Sequence, residues 1–146
     1  MVIIEQLVTS FIASAGFGIM FNIPKQSLIK CGLVGMLGWI VYILLTLNKI
    51  DPVVATLSAS FFIAVTSQFF AKFYKTPVII FSVAGIIPLV PGGLAYDAMR
   101  HFVENDYNTA TNLAARAFMI SGSIAIGLVF SEVINQIIRK QVQFKA

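Results

Sequence analysis

The sequence predicts an all-α integral membrane protein with about five transmembrane helices, the fourth short and broken at a Pro-Gly-Gly turn. Three observations carry that reading. The chain of 146 residues is 58% apolar and only 11% charged, where a soluble domain carries about a quarter charged residues. Its mean hydropathy is +0.90. Its apolar residues fall in long continuous runs, which suit helices, and not in the alternating segments of about ten residues that build a membrane barrel. The net charge of +4 comes from basic residues placed between the apolar runs, where they set topology and form no nucleic-acid patch.

The first run extends from Ile3 to Phe21 and stops at Asn22-Ile23-Pro24. Ala13-Ser14-Ala15 resembles a signal-peptide cleavage site. However, the N-terminal region lacks a basic residue and contains Glu5, so a retained span is expected. The second run covers Leu28 to Leu47 and the third Pro52 to Phe73. Pro77 to Val90 forms a fourth of about 14 residues. It reaches roughly 21 Å at helical rise, short of a hydrocarbon core of about 30 Å. Asn105 to Asn112 reads as a polar loop, and Leu113 to Ile138 as a fifth span. The expected organisation is a single membrane domain over 1–146.

Charge then chooses a topology. With five crossings and the N-terminus outside, the inner segments hold Lys25, Lys30, Lys72, Lys75, Arg139, Lys140 and Lys145. The outer segments hold Lys49, Arg100 and Arg116 together with Asp51, Asp97, Glu104 and Asp106. This fits the positive-inside rule, N-out and C-in. A re-entrant fourth segment would carry Arg139-Lys140 outside and fits less well.

Apolar helices gain nothing from lipid exclusion, so small residues and interhelical hydrogen bonds must hold them together. Gly32, Gly35 and Gly38 thin the second span, Ser10, Ser14 and Gly18 line one face of the first, and Ser123, Gly127 and Ser131 do so on the fifth. On the third, Thr56, Ser60 and Ser67 fall within about 40° of arc. Two readings stand for that stripe: close packing with hydroxyls bonded back to their own carbonyls, or a polar path. Cys31, the single cysteine, reads as a small buried residue.

The sequence lacks the nucleophile-elbow, zinc-protease and phosphate-loop motifs of common enzymes. One histidine, His101, excludes a multi-histidine metal site. No cofactor or metal is expected. Arg116 and Glu132 are charges inside the fifth run; such charges are functional candidates, but both lie within a turn or two of its ends, where a long side chain can instead snorkel to the interface.

The stretch "IIPLVPGGLAYDAMRHF" (Ile86 to Phe102) is the main functional candidate. Pro88 interrupts the helix and frees a carbonyl near Ala84, and Pro91 ends it. Gly92 and Gly93 are expected to permit a sharp turn with bare N–H groups, and Leu94 to start a second half-helix. A helix N-terminus attracts carboxylates, and broken helices hold substrate in many secondary transporters. Pro91, Gly92, Gly93, Tyr96 and Asp97 are therefore the candidate substrate-binding residues. Asp97, His101 and Glu132 are the candidate proton-coupling groups. The alternative is a membrane-exit turn followed by an interfacial helix.

"FGIMFNIPKQSLIKCGLVGMLGW" (Phe17 to Trp39) and "IPLVPGGLAYDAM" (Ile87 to Met99) resemble the threonine/serine exporter family. Phe21, Asn22 and Pro24 carry the first match; Pro88, Pro91, Gly92 and Tyr96 carry the second. The closest similarity is to the small membrane subunit of split two-component exporters. The resemblance implies export of threonine and serine, or of dicarboxylates such as succinate, across the bacterial plasma membrane using the proton gradient. It also implies a larger homologous membrane subunit as partner. The small-residue faces add an expectation of a hetero-complex and of multiple copies.

Overall fold

The computed structural model describes residues Val2 to Gln143. Six α-helices account for nearly all of them: α1 (Val2–Met20), α2 (Lys25–Leu47), α3 (Pro52–Tyr74), α4 (Val78–Ile86), α5 (Gly92–Val103) and α6 (Tyr107–Gln143). A 3₁₀ turn, Ile87–Leu89, extends α4. Helices α1, α2, α3 and α6 are each long and apolar enough to cross a membrane, and α4 with α5 forms a fifth span if the bent pair is counted as one. The bend is 50°, so α5 continues away from the start of α4 and does not turn back beside it.

Every turn between long helices uses one device. Asn22, Lys49, Lys75 and Asn105 all have positive φ, between 51° and 63°, and each stands one or two residues past a helix end. At Asn22, the N–H of Ile23 bonds to the carbonyl of Gly18 and that of Asn22 to Ile19, which satisfies two terminal carbonyls of α1. The same pair of bonds recurs at Lys49 and Asn105. Pro24, Pro52 and Pro77 then open the next helices at or beside their caps, where a missing N–H costs nothing. Phe21, Asn22 and Pro24 thus have a direct structural role as a helix stop and restart.

The expected loop Asn105–Asn112 is overturned. Helix α6 begins at Tyr107, and the turn shrinks to Glu104–Asp106. Asp106 accepts a hydrogen bond from the Thr109 N–H at 3.3 Å. Thr111 and Asn112 bond back to the carbonyls of Tyr107 and Asn108 at 2.7 and 3.0 Å. Polar side chains bonded back to helical carbonyls no longer offer the backbone the alternative partner that would favour a loop.

Packing follows the glycines and serines. Phe11 lies over Gly32, Ser14 fills the notch at Gly35, and Ile63 of α3 sits between Gly38 of α2 and Gly85 of α4. Gly127 of α6 lies against Ser60 and the backbone of Leu57 and Phe61. Cys31 is fully buried, as expected, with its thiol 3.4 Å from the Ile80 carbonyl. These contacts also order the helices. Helices α1, α3 and α6 run one way; α2 and α4 run the other. Lys25, Lys30, Lys72 and Lys75 therefore gather at one end, with Lys30 3.4 Å over the Tyr74 ring. The Arg139 side chain and Lys145, counted with them in the charge pattern, lie outside the described residues.

Two glycines of α6 make opposite predictions. A β-carbon on Gly127 would stand 2.7 Å from the Leu57 carbonyl oxygen and 3.0 Å from the Phe61 nitrogen, whereas one on Gly122 meets nothing within 4 Å. Gly127→Ala is expected to destabilise by about 1–3 kcal/mol through overpacking. Gly122→Ala should be neutral or stabilising by up to about 1 kcal/mol. Thermal unfolding of the purified variants in detergent micelles measures both.

Candidate functional site: the broken fourth span and the groove beneath it

The break begins where the sequence places it. Pro88 cannot donate to the Ala84 carbonyl, and the helix tightens into the 3₁₀ turn before Val90 becomes extended. Pro91 then stands outside helical space as the cap of α5. The glycines contribute differently from expectation. Neither has positive φ, and the turn is made by Val90 and Pro91. The Gly92 N–H bonds to the Val90 carbonyl at 2.8 Å, so it is not bare. The N–H groups of Gly93 and Leu94 find no backbone acceptor, and no backbone N–H reaches the carbonyls of Pro88 or Leu89. Both glycines face open space.

On α5 the candidate residues divide between faces. Ala98 is buried against α6, and Leu94, Asp97 and His101 lie along the same side, all partly covered. Tyr96 is 68% exposed on the opposite side with Met99 and Val103. Asp97 and Tyr96 therefore do not converge. His101 lies at the turn, its Nδ1 3.5 Å from Asp106 and 3.7 Å from Glu104. Those distances suit an ion pair when the ring is protonated, but Nδ1 has no aligned hydrogen bond. Glu132 lies far from both, about 18 Å further along α6 than Ile120. It accepts a hydrogen bond from Gln68 at 3.3 Å across the seam of α3 and α6, and one from Gln136 on α6 itself at 3.2 Å.

The third-span stripe is buried throughout. Thr56 and Ser60 donate back to the carbonyls of Pro52 and Leu57 at 2.7 and 2.9 Å. Ser60 packs on Gly127, and the Ser67 hydroxyl has no hydrogen-bond partner among the described residues. Of the three, Thr56 lines a cavity.

That cavity, about 160 Å³, lies under the break. Its walls are Pro88 to Pro91, Leu94, Trp39, Tyr42, Thr56 and Ile120. A second cavity of about 380 Å³ shares Tyr42, Leu94 and Ile120 with it and adds Asp51, Pro52, Val53, Arg116 and Met119. Together they form a groove from the break to the α2–α3 turn. Trp39 stacks on Tyr42 with ring centroids 5.0 Å apart, and its indole N–H is buried without a partner. Asp51 caps α3, accepting from the Val53 N–H at 2.8 Å. Arg116 makes no ion pair with any described residue. Sequence reasoning singled out Arg116 but missed Trp39, Tyr42 and Asp51 as neighbours of the break. The i, i+3 spacing of Trp39 and Tyr42 was a signal for a shared face; nothing local says what that face meets.

A protein-family model described as "Threonine/Serine exporter, ThrE" matches residues 6–134. The chain belongs to the threonine/serine exporter family. The match includes the helix stop at Phe21–Pro24, the broken fourth span and the whole groove. No solved structure matches this exporter chain significantly. Family and apolar helices together make it a multi-pass membrane protein of a transporter family.

The Asp106 cap gives a pH prediction. Hydrogen bonds from Thr109 hold its carboxyl below the ordinary carboxylate value, with a lesser contribution from His101. A depressed value means that the ionised form stabilises the fold. Its contribution is complete above the unfolded-state pKa of about 3.9 and is lost as pH falls through the lower folded-state value. Asp106→Ala should therefore lower thermal stability at neutral pH, and the difference from the unmodified chain should close on acidification.

Proposed function

We propose that the chain is a membrane subunit of a secondary exporter, coupled to protons, for small carboxylate-bearing metabolites. Threonine and serine form one candidate class, and dicarboxylates such as succinate the other. It would act with a larger membrane subunit of the same family in the bacterial plasma membrane, oriented N-out and C-in. The observation that carries this reading is a broken span over a largely apolar groove bordered by Asp51, Arg116, Tyr42 and Thr56 in a chain of an exporter family. Irregular backbone at membrane depth is tolerated where it faces protein or a water-filled cavity.

Within this reading, the unbonded N–H groups beside Pro91, at Gly93 and Leu94, are donors for a substrate carboxylate, and Asp97 is the proton-linked group. Gly92, Gly93 and Tyr96 face away from the body, so they would meet substrate in a site completed by the partner. The lysine-bearing end supports the proposed orientation.

The test is release of metabolites from cells lacking this chain and from cells in which it is restored with its larger partner, after loading with a threonine-containing dipeptide or a dicarboxylate. Restored outward release of one class is the expected result; no release of either, with both subunits in the membrane, refutes the exporter reading. Asp97→Asn is expected to insert normally and to lose proton-driven release. Unchanged release by that variant would remove Asp97 from the coupling role.

A further inference from the structure

Helix α6 is the longest in the protein and packs chiefly on α3 and α5. Its outer side carries a row of residues that neither covers. Phe118, Gly122, Ala125, Val129, Glu132 and Gln136 recur at alternating intervals of four and three residues, the a and d spacing of a coiled coil. Phe118 and Val129 are 82% and 60% exposed. Ala125, Glu132 and Gln136 are exposed too, and a β-carbon on Gly122 would meet nothing within 4 Å. From Phe118 to Gln136 the row runs about 27 Å at helical rise, close to the hydrocarbon thickness of about 30 Å.

Two of these residues are polar, and they lie deep. Ser131 and Glu132 meet Gln68, which precedes the end of α3 at Tyr74 by about 9 Å at helical rise. Glu132 therefore lies inside the apolar length of the bundle and not at its edge. Gln136 gives one N–H to Glu132 and, among the described residues, keeps its other N–H and its carbonyl oxygen unused. Turned to hydrocarbon, those groups would go unsatisfied, which lipid cannot remedy. Polar groups at such depth face protein or water.

We infer that this row is the contact between two copies of this chain, with α6 packed parallel against α6 about a twofold axis along the membrane normal. The row itself selects the occupant. Both copies insert in one orientation, so each layer meets its own counterpart at the same depth. Gln136 of one copy then offers its free N–H to Glu132 of the other, and the second copy returns the bond. A foreign helix would need a donor and an acceptor at the same two levels. Gly122 and Ala125 admit the opposing backbone, which leaves room for the Phe118 ring over Gly122 of the other copy. A strict seven-residue repeat winds such a pair left-handed. The inference concerns assembly and does not depend on the solute exported.

Single cysteines test the row in the full chain, in the membranes of the cells that make it. Val129→Cys stands in the row. Phe130→Cys, at a site also 60% exposed, lies beside it in depth and points away from the row. Cys31 is fully buried, so the unmodified chain is the background. Under oxidant, Val129→Cys should give a product of twice the chain mass, several-fold more than Phe130→Cys gives. Energy transfer between labelled copies in liposomes then measures the dimer. Gly122→Leu has open space on a single copy and closes the row to a second. It should raise the dissociation constant about tenfold with helix content by circular dichroism unchanged. Glu132→Leu combined with Gln136→Leu should weaken the dimer likewise.

Equal linking of the two cysteine variants, linking of neither, linking of Val129→Cys to a different protein, or an unaltered dimer in Gly122→Leu would each overturn the inference. Solute release from cells is a separate readout, and its failure removes the exporter reading while the dimer stands.

Discussion

Ile63 occupies the notch between Gly38 and Gly85, and the arrangement of the other helices depends on that contact. Lipid offers apolar side chains as good a solvent as a protein interior does, so burying Ile63 gains little from water exclusion. What holds α2, α3 and α4 together is dispersion between surfaces that meet without voids. Gly38 and Gly85 let α2 and α4 close around one branched side chain. Val34 completes the site from α2, where a β-carbon on Gly85 would stand 2.7 Å from it. A second close approach, Gly127 on Ser60, attaches α6 to α3.

The glycine contacts fix the body, and the fourth span is free to be irregular only because the body surrounds its first half. Helix α4 packs on α1, α2 and α3, whereas α5 packs on α6. The break falls where those two environments meet. At that level α2 has moved from glycines to Trp39 and Tyr42, and α3 has reached Thr56 near its first turn. Large rings opposite an interrupted helix leave space, and that space is the groove. The interruption comes from Pro88 and Pro91, and the groove opens beside it because close packing ends where the glycines of α2 end.

The proton-coupling candidates are scattered by this arrangement. Asp97 and His101 share one side of α5, while Glu132 belongs to a separate polar seam with Gln68 and Gln136.

Much of this architecture was legible in the sequence. The apolar runs determined the spans, because no other structure satisfies backbone polar groups in hydrocarbon. Asn22 before Pro24 marked a turn through local chemistry alone, whereas the left-handed Lys75 did not. Pro88 and Pro91 determined that the fourth span breaks, since a missing N–H is a property of the residue and not of its neighbours. The small-residue stripes determined which faces pack. The start of α6 was hidden because Thr111 and Asn112 support either loop or helix according to where their side chains bond. Tertiary structure alone decided that α5 continues at 50°, that Tyr96 and Asp97 separate, and that Arg116, Asp51 and Trp39 border one groove. Those residues come from three different helices, and their meeting depends on crossing geometry set by Gly38, Gly85 and Gly127, which no local pattern encodes.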